Sequence, residues 1–134
     1  MAGPGDITLV EGAVHNPNEP RHFMRIVPAG RRYTATADGQ TLADSEAAVV
    51  VKEVGRDIYD PVVYFPRADV NMDALVGIDK STHCPVKGNT EYFDVASGDV
   101  QVDEAAWSYV GPVVTGAEEL EGRIAFDVAK FNVG

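Results

Sequence analysis

Short apolar segments that end at glycine, proline or Asp-Gly turns constrain the fold of this chain more than any other feature. Residues 33–37 alternate Tyr or Ala with Thr, and residues 40–43 form a second short segment. Asp38-Gly39 between them supplies the positive φ angles of a type I′ turn, so the two segments are predicted to form a β-hairpin. A chain punctuated in this way favours short antiparallel strands.

Five further segments are predicted to form strands, because they combine β-branched and aromatic residues and end at turn residues. One of them is bounded by prolines, which cannot donate to a ladder, and is predicted to be a short central strand. A second hairpin is predicted around the turn Ser97-Gly98-Asp99. The five segments are residues 47–54, 61–66, 91–95, 105–110 and 123–126.

Only short helical segments are predicted. Residues 115–121 are the best candidate, since Thr115 can cap a helix and two glutamates follow in the first turn, where the helix dipole favours acids. Gly122 then ends this segment. Residues 69–75 are predicted to form a single turn with Asp69 as its N-cap.

Length and composition are those of one globular domain. A chain of 134 residues with 45% apolar and 24% charged residues can bury about two thirds of the surface that its unfolded form exposes. Residues 1–30, which carry several prolines, are predicted to be an irregular extension, and residues 31–134 a single β domain. The predicted fold class is mainly β, with curved antiparallel sheets and one or two short helices.

The charge balance is strongly acidic, with 11 basic and 21 acidic residues and a formal net charge of -10. Nucleic acids and anionic membranes are therefore poor partners, because binding them depends on basic side chains that displace counterions. The acidic excess is uneven: residues 1–56 carry six basic and seven acidic residues, whereas residues 57–134 carry five and fourteen. Lys87 is one of those five cations.

The sequence indicates no targeting signal, membrane span or metal site. The amino terminus lacks a basic segment followed by a long apolar one, and the longest apolar run, residues 47–51, is far below the roughly 20 residues of a spanning helix. We therefore expect a cytoplasmic protein. Cys84 is the only cysteine, and His15 and His22 lack metal-ligand spacing. We expect no intramolecular disulfide, no metal and, without a phosphate-binding loop, no cofactor.

Residues 82–88 place a thiol, an imidazole and an amine close together in sequence. A cation beside Cys84 favours a reactive thiolate, which makes His83 and Lys87 candidate partners. On an extended chain, however, Cys84 and Val86 share one face, and neither cation lies beside the thiol. The alternative is a small buried cysteine next to a hydrogen-bonded loop histidine.

Aromatic residues form a second candidate cluster. Trp107 and Tyr109 lie two apart on a predicted strand and therefore point to one face, where Tyr64 or Tyr92 would extend an aromatic wall. Such a wall is either part of the core or the lining of a pocket.

Two carboxylates complete the candidates. Glu53 ends a valine-rich strand, and if its side chain points inward it needs a partner such as Lys87 or His83. Otherwise it is an ordinary surface glutamate. Asp69 either caps a turn or forms a solvated pair with Arg67.

Taken together, these residues resemble the domain-of-unknown-function 427 family of small bacterial and fungal proteins. The resemblance runs from about Arg31 to the end of the chain and departs at Phe93, where the family commonly has tryptophan. It rests on the motifs Leu42-Ala43-Asp44-Ser45, Val63-Tyr64-Phe65-Pro66-x-x-Asp69-Val70, Thr82-His83-Cys84-Pro85-x-Lys87-Gly88-x-x-x-Tyr92, Ala106-Trp107-Ser108-Tyr109-x-x-Pro112 and Ile124-Ala125-Phe126.

The resemblance implies a fold of the β-tent, or Mss4-like, type. Many relatives of that fold hold zinc with two Cys-x-x-Cys pairs, which a chain with one cysteine does not contain. The family also carries a nucleotidyltransferase-like label, but this sequence lacks the Gly-Ser and Asp-x-Asp arrangement that would hold a nucleotide and its magnesium. We therefore expect neither a zinc nor a nucleotide site.

Three functions remain as hypotheses for a monomer or homodimer. The first is a domain that binds a small ligand in a mostly aromatic pocket with a few polar contacts. The second is an enzyme that uses Cys84 or His83, with Lys87 holding an anionic group of the substrate. The third is a protein-interaction module whose acidic carboxyl-terminal part meets a basic partner. The candidate ligand-binding residues are Glu53, Tyr64, Asp69, His83, Cys84, Lys87, Tyr92, Trp107 and Tyr109.

Overall fold

The computed structural model describes residues 9–134. Within that range the chain forms twelve short strands and three single-turn 3-10 helices, which confirms the mainly β class predicted from the turn pattern. The strands are β1 (Val14–Asn16), β2 (Glu19–Pro28), β3 (Tyr33–Ala37), β4 (Gln40–Ser45), β5 (Val49–Val54), β6 (Val62–Tyr64), β7 (Leu75–Ile78), β8 (His83–Cys84), β9 (Gly88–Ser97), β10 (Val100–Val110), β11 (Ile124–Phe126) and β12 (Asn132–Val133).

The strands form three antiparallel sheets. The four-stranded sheet has the order β1-β2-β5-β6, the five-stranded sheet has the order β11-β10-β9-β7 with β8 paired to β9, and the three-stranded sheet has the order β12-β3-β4. Both predicted hairpins are confirmed. The β3–β4 turn uses Asp38 and Gly39 with φ angles of 47° and 79°, and β9 and β10 meet at Gly98.

The five-stranded sheet contributes to two core clusters. One cluster joins its Phe93 and Ala106 to Leu42 of the three-stranded sheet. The other joins its Tyr109 and Ala125 to Met24 of the four-stranded sheet. Because side chains alternate along each strand, β10 supplies Ala106 to one cluster and Tyr109 to the other. The second cluster borders the candidate site.

The strand pair β2–β5 positions that site. Its register sets Met24 opposite Glu53 and Arg25 opposite Lys52. Met24 is fully buried, so Met24 and Glu53 point to the inner face of the sheet. Arg25 and Lys52, one position along each strand, point to the outer face.

The proline-bounded segment 61–66 is not central in its sheet, contrary to its prediction. Its strand β6 is an edge of the four-stranded sheet. Next to β6, Phe65 exchanges backbone hydrogen bonds with Ile124, each with an N···O distance of 2.8 Å. The segment therefore links the four-stranded and five-stranded sheets, and its prolines lie outside the residues that pair in those sheets.

The predicted helix over residues 115–121 is wrong. Only a 3-10 turn, Glu118–Leu120, forms there, and no side chain caps it. Gly116 has a φ of 97°, which interrupts a right-handed helix. Its N–H donates to the Glu118 carboxylate instead.

The predicted cap at Asp69 is also wrong. A single turn is present at Met72–Ala74, but it has no side-chain cap. Asp69 belongs to a separate turn, Arg67–Asp69, and its carboxylate accepts a hydrogen bond from the Ser45 hydroxyl. Tertiary contact between Asp69 and β4 has replaced the local capping bond.

The described part of the amino-terminal segment is regular, which differs from the irregular extension predicted for residues 1–30. Residues 14–16 and 19–28 form β1 and β2, and residues 1–8 lie outside the described part. Pro20 and Pro28 lie near the two ends of β2, where a missing backbone donor is tolerated. Pairing with β5 over residues 23–28 holds the strand despite its prolines.

Replacing Gly88 by alanine is expected to destabilise the fold more than replacing Gly39. Gly88 has a φ of 130°, and a Cβ there would lie 3.1 Å from the Val113 Cα, whereas Gly39 has nothing within 4 Å. Gly88→Ala therefore adds a backbone clash to conformational strain. We expect it to lower the free energy of unfolding by about 3 kcal/mol, against about 1 kcal/mol for Gly39→Ala. Chemical denaturation followed by Trp107 fluorescence measures both losses, and equal losses would contradict the clash.

Candidate functional site

A tight turn after β8 brings Lys87 back to Cys84. The Lys87 N–H donates to the Cys84 carbonyl oxygen at 3.2 Å, and Pro85 suits the second position of such a turn because its φ is already fixed. The Lys87 ammonium then donates to the Cys84 sulfur at 3.7 Å. The extended-chain prediction, which kept Lys87 away from the thiol, is wrong because the chain turns here.

A buried ion pair joins this turn to the four-stranded sheet. The Lys87 ammonium donates to one oxygen of Glu53, and the side chains of Lys87 and Glu53 are only 7% and 14% exposed. The other oxygen of Glu53 accepts a hydrogen bond from His22 Nε2 at 2.7 Å. Each charge is thereby paired and hydrogen-bonded, as burial in a protein interior requires.

Asn16 orients the ring of His22. The Asn16 amide nitrogen donates to His22 Nδ1 at 3.4 Å, while the amide oxygen accepts the backbone N–H of Asn18 at 3.0 Å. Because Nδ1 accepts, Nε2 carries the ring proton and donates to Glu53. We refer to Asn16, His22, Glu53 and Lys87 as the buried polar chain.

Electrostatics in the buried polar chain favour an ionised Glu53. Burial opposes the charge, but the hydrogen bonds from Lys87 and His22 outweigh it, and the pKa of the Glu53 carboxyl lies below its usual value. The neighbouring phenols behave differently. Burial raises the pKa of Tyr64 and of Tyr109 well above the usual range of a phenol, so both remain neutral.

The predicted aromatic cluster assembles next to the buried polar chain. Tyr92 and Trp107 are register partners on β9 and β10, with ring centroids 6.3 Å apart. Trp107 Nε1 donates to the Tyr64 hydroxyl at 3.3 Å, and the Tyr64 and Tyr109 rings lie 6.3 Å apart. Tyr64 and Tyr109 are core residues, with 2% and 7% of their surface exposed, whereas Trp107 and Tyr92 are half-buried.

Two sequence candidates lie apart from this cluster. His83 is exposed and its Nδ1 is hydrogen-bonded to the Asn89 side chain at 2.8 Å. Asp69 is bonded to Ser45. Arg67, suggested as the partner of Asp69, instead pairs with Glu91 at 2.6 Å. Of the two partners suggested for Glu53, the structure selects Lys87.

Sequence reasoning missed Asn16 and His22. Both lie in the segment predicted to be irregular, so neither was considered for a place inside the fold. A signal for His22 was available in the sequence. His22, Met24 and Ile26 alternate with Phe23 and Arg25, and this period-two pattern is typical of a strand with one buried face.

A cavity of about 560 Å³ lies where β2 begins and β5 ends. Its wall includes Tyr59, whose N–H donates to the Glu53 carbonyl oxygen at 3.1 Å. The Tyr59 ring packs on Gly55, where any Cβ would lie 2.9 Å from it. Because Asn16 and His22 are among its lining residues, the cavity adjoins the buried polar chain. The lining residues are Asn16, Glu19, Arg21, His22, Gly55, Arg56 and Tyr59.

Residues 9–134 contain neither a metal-binding cluster nor a membrane-spanning helix. No three His, Cys, Asp or Glu side chains of that range are grouped to hold a metal ion. In the same range, no helix has the length and apolar character needed to cross a membrane.

Comparison with known families gives a match over most of the chain. Residues 25–133 match the family described as Domain of unknown function (DUF427). The chain belongs to the DUF427 family. The match confirms the resemblance drawn from the sequence motifs, and no curated protein matches the chain. The DUF427 match contains Glu53, Cys84 and Lys87, whereas Asn16 and His22 precede it.

Acid is expected to remove the stabilisation that the ionised Glu53 provides. Because the folded-state pKa of Glu53 is lowered, its contribution is present above the unfolded-state pKa of about 4.3 and is lost as the pH falls through the folded-state value. Glu53→Gln leaves Lys87 buried without a counter-charge, and we expect it to cost about 3 kcal/mol near neutral pH. Urea denaturation across the acid range should show the difference from the unsubstituted protein shrinking as the pH falls below about 4.3.

The exposed pair of Arg32 and Asp44 provides the control. Asp44→Asn removes a carboxylate of lowered pKa that lies on the surface, and solvent screens such pairs. We expect little change in stability from Asp44→Asn. A Glu53→Gln loss no larger than this, or one that persists unchanged into acid, would show that the buried pair does not stabilise the fold.

Proposed function

We propose that this DUF427 domain binds a small ligand in the 560 Å³ cavity beside His22. The observation that carries the proposal is continuity: Asn16 and His22 line the cavity and also begin the buried polar chain that ends at Lys87. Small-molecule sites have volumes of about 300–1,000 Å³ and combine apolar walls with a few oriented polar groups.

The residues that line the cavity indicate which contacts a ligand would make. Tyr59 supplies an aromatic wall, Asn16 a polar amide and Arg56 a guanidinium. Arg21 is less available, because both oxygens of Glu19 accept hydrogen bonds from it at 2.9 and 3.0 Å. A polar ligand with an apolar or aromatic part fits this set.

Burial of Tyr64 and Tyr109 supports this location over a pocket at the aromatic wall. Both residues pack in the core beside Met24, so a ligand there would meet chiefly Trp107 and Tyr92. In this proposal the aromatic wall supports the buried polar chain from inside, through the cation–π approach of Lys87 Nζ to the Tyr109 ring at 5.7 Å.

A screen of polar metabolites by thermal shift and calorimetry tests the proposal. We expect a binder whose affinity falls at least about tenfold in His22→Gln, which alters the ring in the cavity while keeping a donor for Glu53. Gly55→Ala should also weaken it, because the new methyl group displaces Tyr59. His83→Gln is the matched control, since His83 lies outside the cavity. Absence of any binder, or a binder lost in Trp107→Ala and kept in His22→Gln and Gly55→Ala, would overturn the proposal.

A second candidate function is an enzyme that uses Cys84 as a nucleophile. The favouring observation is the hydrogen bond from the Lys87 ammonium to the Cys84 sulfur at 3.7 Å, on a cysteine that is partly exposed. A cation beside a thiol promotes attack by the sulfur. His83 is a poorer candidate, because its hydrogen bond to Asn89 engages it elsewhere.

Alkylation of Cys84 tests this second function. If Lys87 activates the thiol, iodoacetamide should label native Cys84 at least about tenfold faster than the urea-unfolded chain at neutral pH. Lys87→Met should abolish the excess rate. Lys80→Met removes an exposed cation and should leave it unchanged. Native labelling no faster than that of the unfolded chain rejects the nucleophile.

A further inference from the structure

The outer face of the β2–β5 pair carries two cations directly opposite each other. Arg25 and Lys52 are register partners and both are exposed. Within residues 9–134, the ion pairs involve neither of them. Like charges at directly opposed positions of an antiparallel pair destabilise it. An anion placed between them would relieve that repulsion.

An apolar groove of about 330 Å³ adjoins the two cations. Its walls include the outward side chains of Phe23 and Val54, and Ile58 and Tyr59 project from the loop after β5. Ile58 is 79% exposed and Tyr59 44% exposed, which is unusual for large apolar side chains. Apolar surface beside unpaired cations is complementary to a molecule that carries both an apolar part and a negative charge.

The charge and the size of the groove restrict the class of ligand further. Arg25 and Lys52 are two of the five cations that take part in no ion pair within residues 9–134. Their directly opposed positions make this face locally positive on a chain whose net charge is -10, which favours an anion there. The groove volume is near the lower end of the range for small-molecule sites. Asp60 also lines the groove, from the loop side, so a carboxylate head would lie on the strand side, at Arg25 and Lys52.

We propose that this groove binds a small amphiphilic anion, with a carboxylate between Arg25 and Lys52 and an apolar tail against Phe23, Val54 and Ile58. The site is distinct from the cavity at His22. Arg25, Lys52 and Ile58 line the groove and not the cavity, and among residues 9–134 Tyr59 is the one that borders both.

Octanoate, octan-1-ol and octylamine provide probes of equal chain length and different charge. Titration of the ¹⁵N-labelled protein should show saturable amide shifts at residues 23–25, 52–54 and 58–60 with octanoate. Octan-1-ol should bind about fivefold more weakly, the upper end of what an exposed ion pair contributes, and octylammonium more weakly still. Equal affinity for octan-1-ol and octanoate, or no saturable shift with millimolar octanoate, overturns the proposal.

Matched variants test the two halves of the groove. Arg25→Glu should abolish octanoate binding without unfolding the protein, because it sets opposite charges across the strand pair. Arg31→Glu changes the net charge equally at an exposed position outside the groove and should leave binding intact. Ile58→Ser should weaken binding, whereas Val128→Ser, at a side chain 71% exposed elsewhere, should not. Equal losses within either matched pair would show a non-specific effect and overturn the site.

The experiments distinguish a failure of the groove proposal from a failure of the proposed ligand site at His22. Substitutions at Arg25 and Ile58 test octanoate binding, whereas substitutions at His22 and Gly55 test binding of the ligand in the His22 cavity. Loss of octanoate binding in His22→Gln, with Arg25→Glu unaffected, would assign the anion to the His22 cavity and overturn the groove as its site.

Discussion

The buried ion pair of Lys87 and Glu53 is the interaction on which the rest of the site depends. Lys87 is the last residue of the turn between β8 and β9, and Glu53 lies on β5, so the pair connects the five-stranded and four-stranded sheets. Removing two charges from water costs several kcal/mol for each ion, and the pair is tolerable only when hydrogen bonds complete it. His22 on the carboxylate and Cys84 on the ammonium provide those bonds, while Asn16 holds the histidine ring in the required tautomer.

The alternation of side chains on β2 and β5 gives one strand pair two different surfaces. Glu53 faces inward, where it is paired with Lys87, and Lys52, its neighbour in sequence, faces outward to solvent beside a second cation. A slip of one residue in the register would exchange the two faces and bury Lys52 in place of Glu53. The same constraint that protects the buried polar chain therefore also exposes Arg25 and Lys52 on the outer face.

Much of the fold could be predicted from local sequence chemistry, whereas the candidate site could be predicted only in part. The Asp38-Gly39 hairpin and the β9–β10 hairpin were predictable because their turns demand particular residues. The need of an inward Glu53 for a cation correctly suggested Lys87, because burial of an unpaired carboxylate is prohibitive. Lys87 was one of two candidate partners of Cys84, and the extended-chain argument against it is wrong because Pro85 begins a turn. Asp69 and His83 lie apart from the other candidate residues, bonded to Ser45 on β4 and Asn89 on β9, and their sequence neighbours do not indicate these partners.

By itself, the sequence determined the mainly β class, the two hairpins, the acidic surface and membership of the DUF427 family, because turn chemistry, period-two alternation and motif spacing are short-range properties. Only the tertiary structure decided which groups meet. His22 and Lys87 reach Glu53 from 31 and 34 residues away along the chain, and nothing in the local pattern of any of the three specifies the other two. Register and sheet packing bring them together, and the same packing separates the inner polar chain from the cationic groove outside.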